Sequence, residues 1–214
     1  MVINMRYLEL ATGMQEYLSI KSVQETIMLV LQAFICDPDD VTTAQIHANE
    51  ATLRGMHRMV AQSMRFNSAN AQIQTTGLHI LQNLTHCTQC SAGAAQYVVA
   101  TMVPLLLNKT DDFAMQLGCP KIINDVTFAQ NTWCVSGPQN MLILVLHSLQ
   151  TAPHHLEFAR ISTELMERFS QNIKYETKPW AMNAFELHTL EDLLLHIMKT
   201  HYMDAKIQEQ SMKA

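Results

Sequence analysis

Ile73-Gln-Thr-Thr-Gly-Leu-His-Ile-Leu-Gln-Asn-Leu84 decides the fold, because Ile73, Gly77, Ile80, Leu81 and Leu84, all apolar or small, recur at helical spacing. Helical geometry puts all five on one side, so the stretch is predicted to be a helix with a buried stripe. The other side, carrying Thr75, Thr76, His79, Gln82 and Asn83, is predicted to face solvent.

Fifty residues earlier the chain reads Val23-Gln-Glu-Thr-Ile-Met-Leu-Val-Leu-Gln-Ala-Phe34, with Gln24, Thr26, Leu31 and Gln32 matching Gln74, Thr76, Leu81 and Gln82. The stripe recurs from Met115 to Val126 and from Phe158 to Phe169, and its first half recurs from Ile207 to Ala214. Gly77 is replaced in the later copies by Cys119, Ser162 and Ser211, small residues that let a neighbouring helix approach; Ile27 is the exception. Self-similarity of this kind marks a repeat architecture.

A second register supports the first. Nine residues before each stripe start stand Met14, Met64, Leu106, Leu149 and Met198, and four before those Leu10, Val60, Met102, Val145 and Leu194. These read as the last turns of a preceding helix. Polar linkers such as Asn67-Ser-Ala-Asn70, Lys109-Thr-Asp-Asp112 and Thr151-Ala-Pro-His154 supply turns and N-caps. The predicted unit is helix, tight turn, helix.

The apolar fraction of 48% is ample for a core, and with no Asn-Gly or Asp-Gly hairpin turn the chain is expected to be almost wholly α. A net charge of -5 and a sequence pI near 6.0 provide no basic stripe for nucleic acid. Arg6, Glu9, Glu16, Lys21 and Glu25 interrupt the first thirty residues, and Met141 to Leu149 is too short to cross a bilayer, so neither a signal segment nor a membrane partner is expected. Five scattered cysteines, an odd number, suit free thiols in a reducing compartment. The cytoplasm is the default location, with the nucleus left open.

The stripe starts, at 23, 73, 115, 158 and 207, are 50, 42, 43 and 49 residues apart, bracketing the roughly 40 to 47 of armadillo and HEAT repeats. The two longer spacings imply loop insertions around Cys36 to Thr43 and Asn172 to Trp180. The pattern from Ile73 to Leu84 resembles the third helix of an armadillo repeat, with Met64 closing the second helix. Met198-Lys-Thr-His-Tyr-Met-Asp-Ala-Lys-Ile-Gln208 resembles the armadillo arrays of protist proteins and of the leucine-rich repeat kinases. The resemblance implies one all-α domain over residues 1–214, a right-handed armadillo-like superhelix, or α-solenoid, of four to five repeats. The repeats would span about 1–40, 41–88, 89–131, 132–174 and 175–214 and be truncated at both ends, leaving end repeats open to self-association.

In such arrays third helices line a concave groove that holds a protein or peptide partner. By resemblance to importin-type arrays, the positions of His79 and Asn83 hold a tryptophan and an asparagine that grip basic peptides. Here the first position carries Leu29, His79, Lys121 and Glu164, and the second Ala33, Asn83, Asp125 and Arg168. Only Asn83 fits, so nuclear-import cargo is not expected. Thr76, His79, Asn83, Lys121, Asp125, Glu164 and Arg168 are the candidate partner-binding residues, their mixed charges suiting a specific polar protein surface.

Other features have plainer readings. Cys87-Thr-Gln-Cys90 beside His86 lacks the second pair that a structural zinc site needs. His79, His147, His196 and the His154-His155 pair are dispersed, as surface residues would be. Most of the fifteen methionines fill gaps on the stripes, leaving Met182 and Met203 as exposed candidates. Pro120 implies either a kinked helix or one that begins near Cys119. No nucleophile elbow, phosphate loop or metalloprotease signature is present, so no catalytic residue, metal or cofactor is expected. The expected function is a non-catalytic interaction scaffold; the alternative is an architectural segment packing against other domains of a larger chain.

Overall fold

A computed structural model describes residues 2–36, 41–87, 92–108, 113–130, 154–173 and 184–213. The described residues form ten helices and no strand: α1 (Val2–Glu16), α2 (Lys21–Ile35), α3 (Val41–Leu53), α4 (Met56–Phe66), α5 (Ala71–Cys87), α6 (Ala92–Asn108), α7 (Phe113–Gln130), α8 (Leu156–Ile173), α9 (Ala184–Thr200) and α10 (Ala205–Lys213). The chain packs as two compact units, Met1–Leu105 with Lys121–Thr132, and Leu106–Pro120 with Trp133–Ala214.

Three hairpins, α1–α2, α4–α5 and α9–α10, are closed by the same hydrogen bonds. The glutamine after the stripe start donates from Nε2 to carbonyls ten and seven residues back. Gln24 reaches Met14 and Tyr17 (both 3.0 Å), Gln74 reaches Met64 and Asn67 (2.7 and 3.1 Å), and Gln208 reaches Met198 and His201 (2.8 and 3.3 Å). A helix end leaves carbonyls with no partner in the helix, and here one side chain satisfies two at the turn. The next helix opens on an N-cap in two of the three: Asn70 Oδ1 accepts from Ile73 N–H (3.2 Å) and Asp204 Oδ1 from Ile207 N–H (3.1 Å). Ile20 holds that place before α2 and makes no side-chain cap.

In the first unit α5 packs against α2, α3 and α4, and α4 against α1. The stripe residues Ile73, Ile80, Leu81 and Leu84 are wholly buried. A Cβ on Gly77 would lie 2.6 Å from Met64 Cγ and Sδ and 2.8 Å from Met28 Cε, so glycine sets how closely α5 approaches its neighbours. In the first hairpin, where Ile27 replaces the small residue, Gly13 on the facing helix yields instead, its missing Cβ leaving room for Ile27 Cδ1 at 3.0 Å. In the second unit α10 packs against α8 and α9.

One sequence expectation changes, and one choice left open by the sequence is decided. The stretch around Cys36 to Thr43 is not simply a loop insertion: α3 begins at Val41, so the second repeat has three helices, α3, α4 and α5, and the extra helix accounts for its spacing of 50 residues. Pro120 lies inside α7, which starts at Phe113 rather than near Cys119. Residues 37–40 of the first insertion and 174–180 of the second lie outside the described residues.

Candidate functional site

One register position is exposed in all three copies of the first unit. Six residues after the stripe start, Leu29 is 47% exposed, His79 and Lys121 are exposed, and Glu164 is half-buried. Ten residues after it, Ala33 is exposed and Asn83 and Asp125 are half-buried. His79, Asn83, Lys121 and Asp125 belong to the first unit, Glu164 and Arg168 to the second. The side chain of Arg168, on α8, lies outside the described residues.

His79 and Asn83 are tied to α2 and to Cys36 just beyond it. Gln32 Nε2 lies 3.3 Å from His79 Nδ1, and an amide donating there leaves the imidazole proton on Nε2. Asn83 Nδ2 donates to Cys36 Sγ (2.9 Å) and to the carbonyl of His79 (3.1 Å), one turn back. Both side chains are therefore oriented by contacts with α2 and the residue that follows it.

Thr76 does not belong to this face. It is 3% exposed, its hydroxyl accepting from Gln72 Nε2 (3.0 Å). A helical wheel with one stripe assumes neighbours on one side only, whereas α5 has α2, α3 and α4 around it, and Thr76 turns inward with Gln74, Leu78 and Thr85. The outward strip of α5 narrows to Thr75 and His79, flanked by the half-buried Gln82 and Asn83.

In the second unit the face is a charged ladder between α8 and α10. Arg160 Nη2 donates to Asp204 Oδ2 (2.6 Å), Lys206 Nζ stands 3.5 Å from Glu164 Oε2, and Lys213 Nζ 3.4 Å from Glu167 Oε1. Beneath it Thr163 Oγ1 donates to Gln210 Oε1 (3.1 Å). The Ile207 N–H, and after it the Arg160 guanidinium, hold the Asp204 carboxyl below the usual carboxylate range. These pairs hold one repeat against the next, so Glu164 is committed to stacking as well as facing outward.

Buried histidine occurs away from the face. His57 on α4 is almost wholly buried, and desolvation pushes its pKa down to about 4 against a hydrogen bond with the Leu84 backbone that raises it. Tyr7, Phe34 and His47 form an aromatic cluster with ring centroids 5.4 to 6.5 Å apart, and burial, aided by Glu50, raises the Tyr7 pKa well above its ordinary value. Among the described residues no three His, Cys, Asp or Glu side chains gather to hold a metal ion. Cys87 closes α5, while its side chain and residues 88–90 lie outside the described residues, as do His147 and Met182. Met203 is 81% exposed in the turn before α10.

Sequence reading missed Gln32 as the residue that orients His79, although its identity with Gln82 was visible. Leu29, which the sequence places in the same register as His79, is an exposed aliphatic side chain. Among the described residues no helix is long and apolar enough to cross a membrane. A scan against protein-family models and searches of curated proteins and of solved structures found no match.

Proposed function

We propose that the chain is a non-catalytic interaction scaffold: an armadillo-like array whose third helices form a concave groove that takes a segment of a partner protein. The observation that carries this reading is the exposed position filled in the first unit by Leu29, His79 and Lys121, one residue per repeat, with the half-buried Glu164 at the same register in the second unit. A linear partner needs such a row, because its own side chains arrive at regular intervals.

The row starts aliphatic at Leu29 and Ala33, becomes neutral and polar at His79 and Asn83, and ends in mixed charge at Lys121, Asp125, Glu164 and Arg168. A matching segment has an apolar anchor at one end and charges of both signs at the other. Mixed signs specify register more than they add affinity. The buried Thr76 takes no part.

A displayed library of unstructured peptides selected on the immobilised chain tests the proposal. Binders should share that graded pattern and lose at least tenfold in affinity with His79→Ala plus Lys121→Glu. Binders indifferent to both changes, or no selection above background, would count against it.

A further inference from the structure

The second unit brings together two histidines that stand 42 residues apart in the chain. His154 lies in the turn before α8 and His196 on α9, and their ring centroids are 5.5 Å apart with the planes inclined at 69°. Both side chains are exposed, and among the described residues neither makes a hydrogen bond or an ion pair. By contrast, Gln32 engages His79 and the Leu84 backbone engages His57.

Buried neighbours hold the pair in place. Phe158 and Ala159 anchor the start of α8, where the Ala159 N–H donates to the His155 carbonyl (3.0 Å) immediately after His154. Ile197, next to His196, is wholly buried and fixes the rotation of α9 about its own axis. Both rings are thus carried on ordered backbone, while their exposure lets them turn about the side-chain bonds without displacing a neighbour.

The spacing is that of a chelating pair. Zinc holds imidazole nitrogens about 2.1 Å away in a tetrahedral shell, and each ring centroid lies about 1.1 Å beyond its nitrogen, so two rings on one ion have centroids about 5.2 Å apart. Stacked rings would direct their nitrogens along parallel planes, whereas inclined rings can each direct one at a common point. Acid also outnumbers base nearby: Glu157, Glu191 and Asp192, against Lys199, lie within five positions of one ring or the other, and all are exposed. The resulting local potential favours a cation.

We infer that His154 and His196 bind a borderline divalent cation of the zinc class, with water filling the remaining positions. Imidazole suits zinc, nickel and copper, while magnesium and calcium prefer oxygen ligands. The sequence hides the pair because histidines so far apart look dispersed, and only the fold makes them neighbours. The site lies in the second unit and is independent of the groove reading, since one can fail without the other.

Titration of the full chain with zinc sulfate, followed by calorimetry and by NMR of the imidazole rings, decides it. The expected result is one ion per chain, with the His154 and His196 resonances shifting together and those of His79 unmoved. His154→Ala and His196→Ala should each lower zinc affinity at least tenfold and leave the metal-free melting temperature unchanged, and magnesium sulfate should give no shift. An absence of zinc binding, shifts spread evenly over the histidines, or an affinity that survives either substitution would overturn the inference.

Discussion

Replacing Gln74 by glutamate keeps the shape of the side chain and removes the donor. In the native protein its Nε2 bonds the carbonyls of Met64 and Asn67, and the residue is 3% exposed. A carboxylate there would face two carbonyl oxygens, so Gln74→Glu must be protonated to fit. Holding a glutamate neutral at pH 7 when its ordinary pKa is about 4.3 costs about 1.4 kcal/mol per unit, or up to about 4 kcal/mol. One of the two bonds is also lost, adding about 1 kcal/mol. The folded-state pKa is raised, so the penalty is absent below the unfolded pKa and grows as pH rises. Urea unfolding at pH 7 should show a deficit of about 4 to 5 kcal/mol against the parent protein, shrinking to about 1 kcal/mol near pH 4. Gln74→Met, which cannot titrate, should cost about 2 kcal/mol at both pH values, and Gln72→Glu on the exposed side about 0.5 kcal/mol or less. A deficit for Gln74→Glu that does not change with pH would refute the clamp.

Gly77→Val should destabilise by about 2 to 3 kcal/mol in the same assay, because its Cβ alone meets Met64 atoms at 2.6 Å; a neutral result would mean α4 and α5 are farther apart. For His57 the folded-state pKa is depressed from 6.5 to about 4, so stability is full above pH 6.5 and falls as pH drops to 4. The loss should approach about 3 kcal/mol, and His57→Gln should flatten the slope; equal slopes would place the acid sensitivity elsewhere. Leu81→Ala and Ile123→Ala should each cost about 2 to 5 kcal/mol and His79→Ala under about 1 kcal/mol, while equal costs would show the register to be wrong.

The apolar stripe was legible because it is made of large side chains: Ile73, Ile80, Leu81 and Leu84 are all buried as their spacing predicts. The first helix of the second repeat was not. Its inward face is Ala44, Ala48 and Ala51, while Ile46 and Leu53 point outward, so hydropathy marks the wrong side. Alanine buries little area but permits close helix contact, which a search for large apolar residues overlooks. Gln24 and Gln74 were visible as shared residues, but their role depends on carbonyls exposed by a turn, and only geometry reveals it. Thr76 was misplaced for a related reason: amphipathicity reports one buried side, and a helix inside a stack has several.

The proposed array is tested most directly by distances between spin labels on the outward positions of the first unit, from Leu29 to His79 and to Lys121. Adjacent packed helices lie about 10 Å apart, so an array predicts backbone separations growing from roughly 10 Å at His79 to roughly 20 Å at Lys121. A Lys121 label as close to Leu29 as His79 is would contradict it.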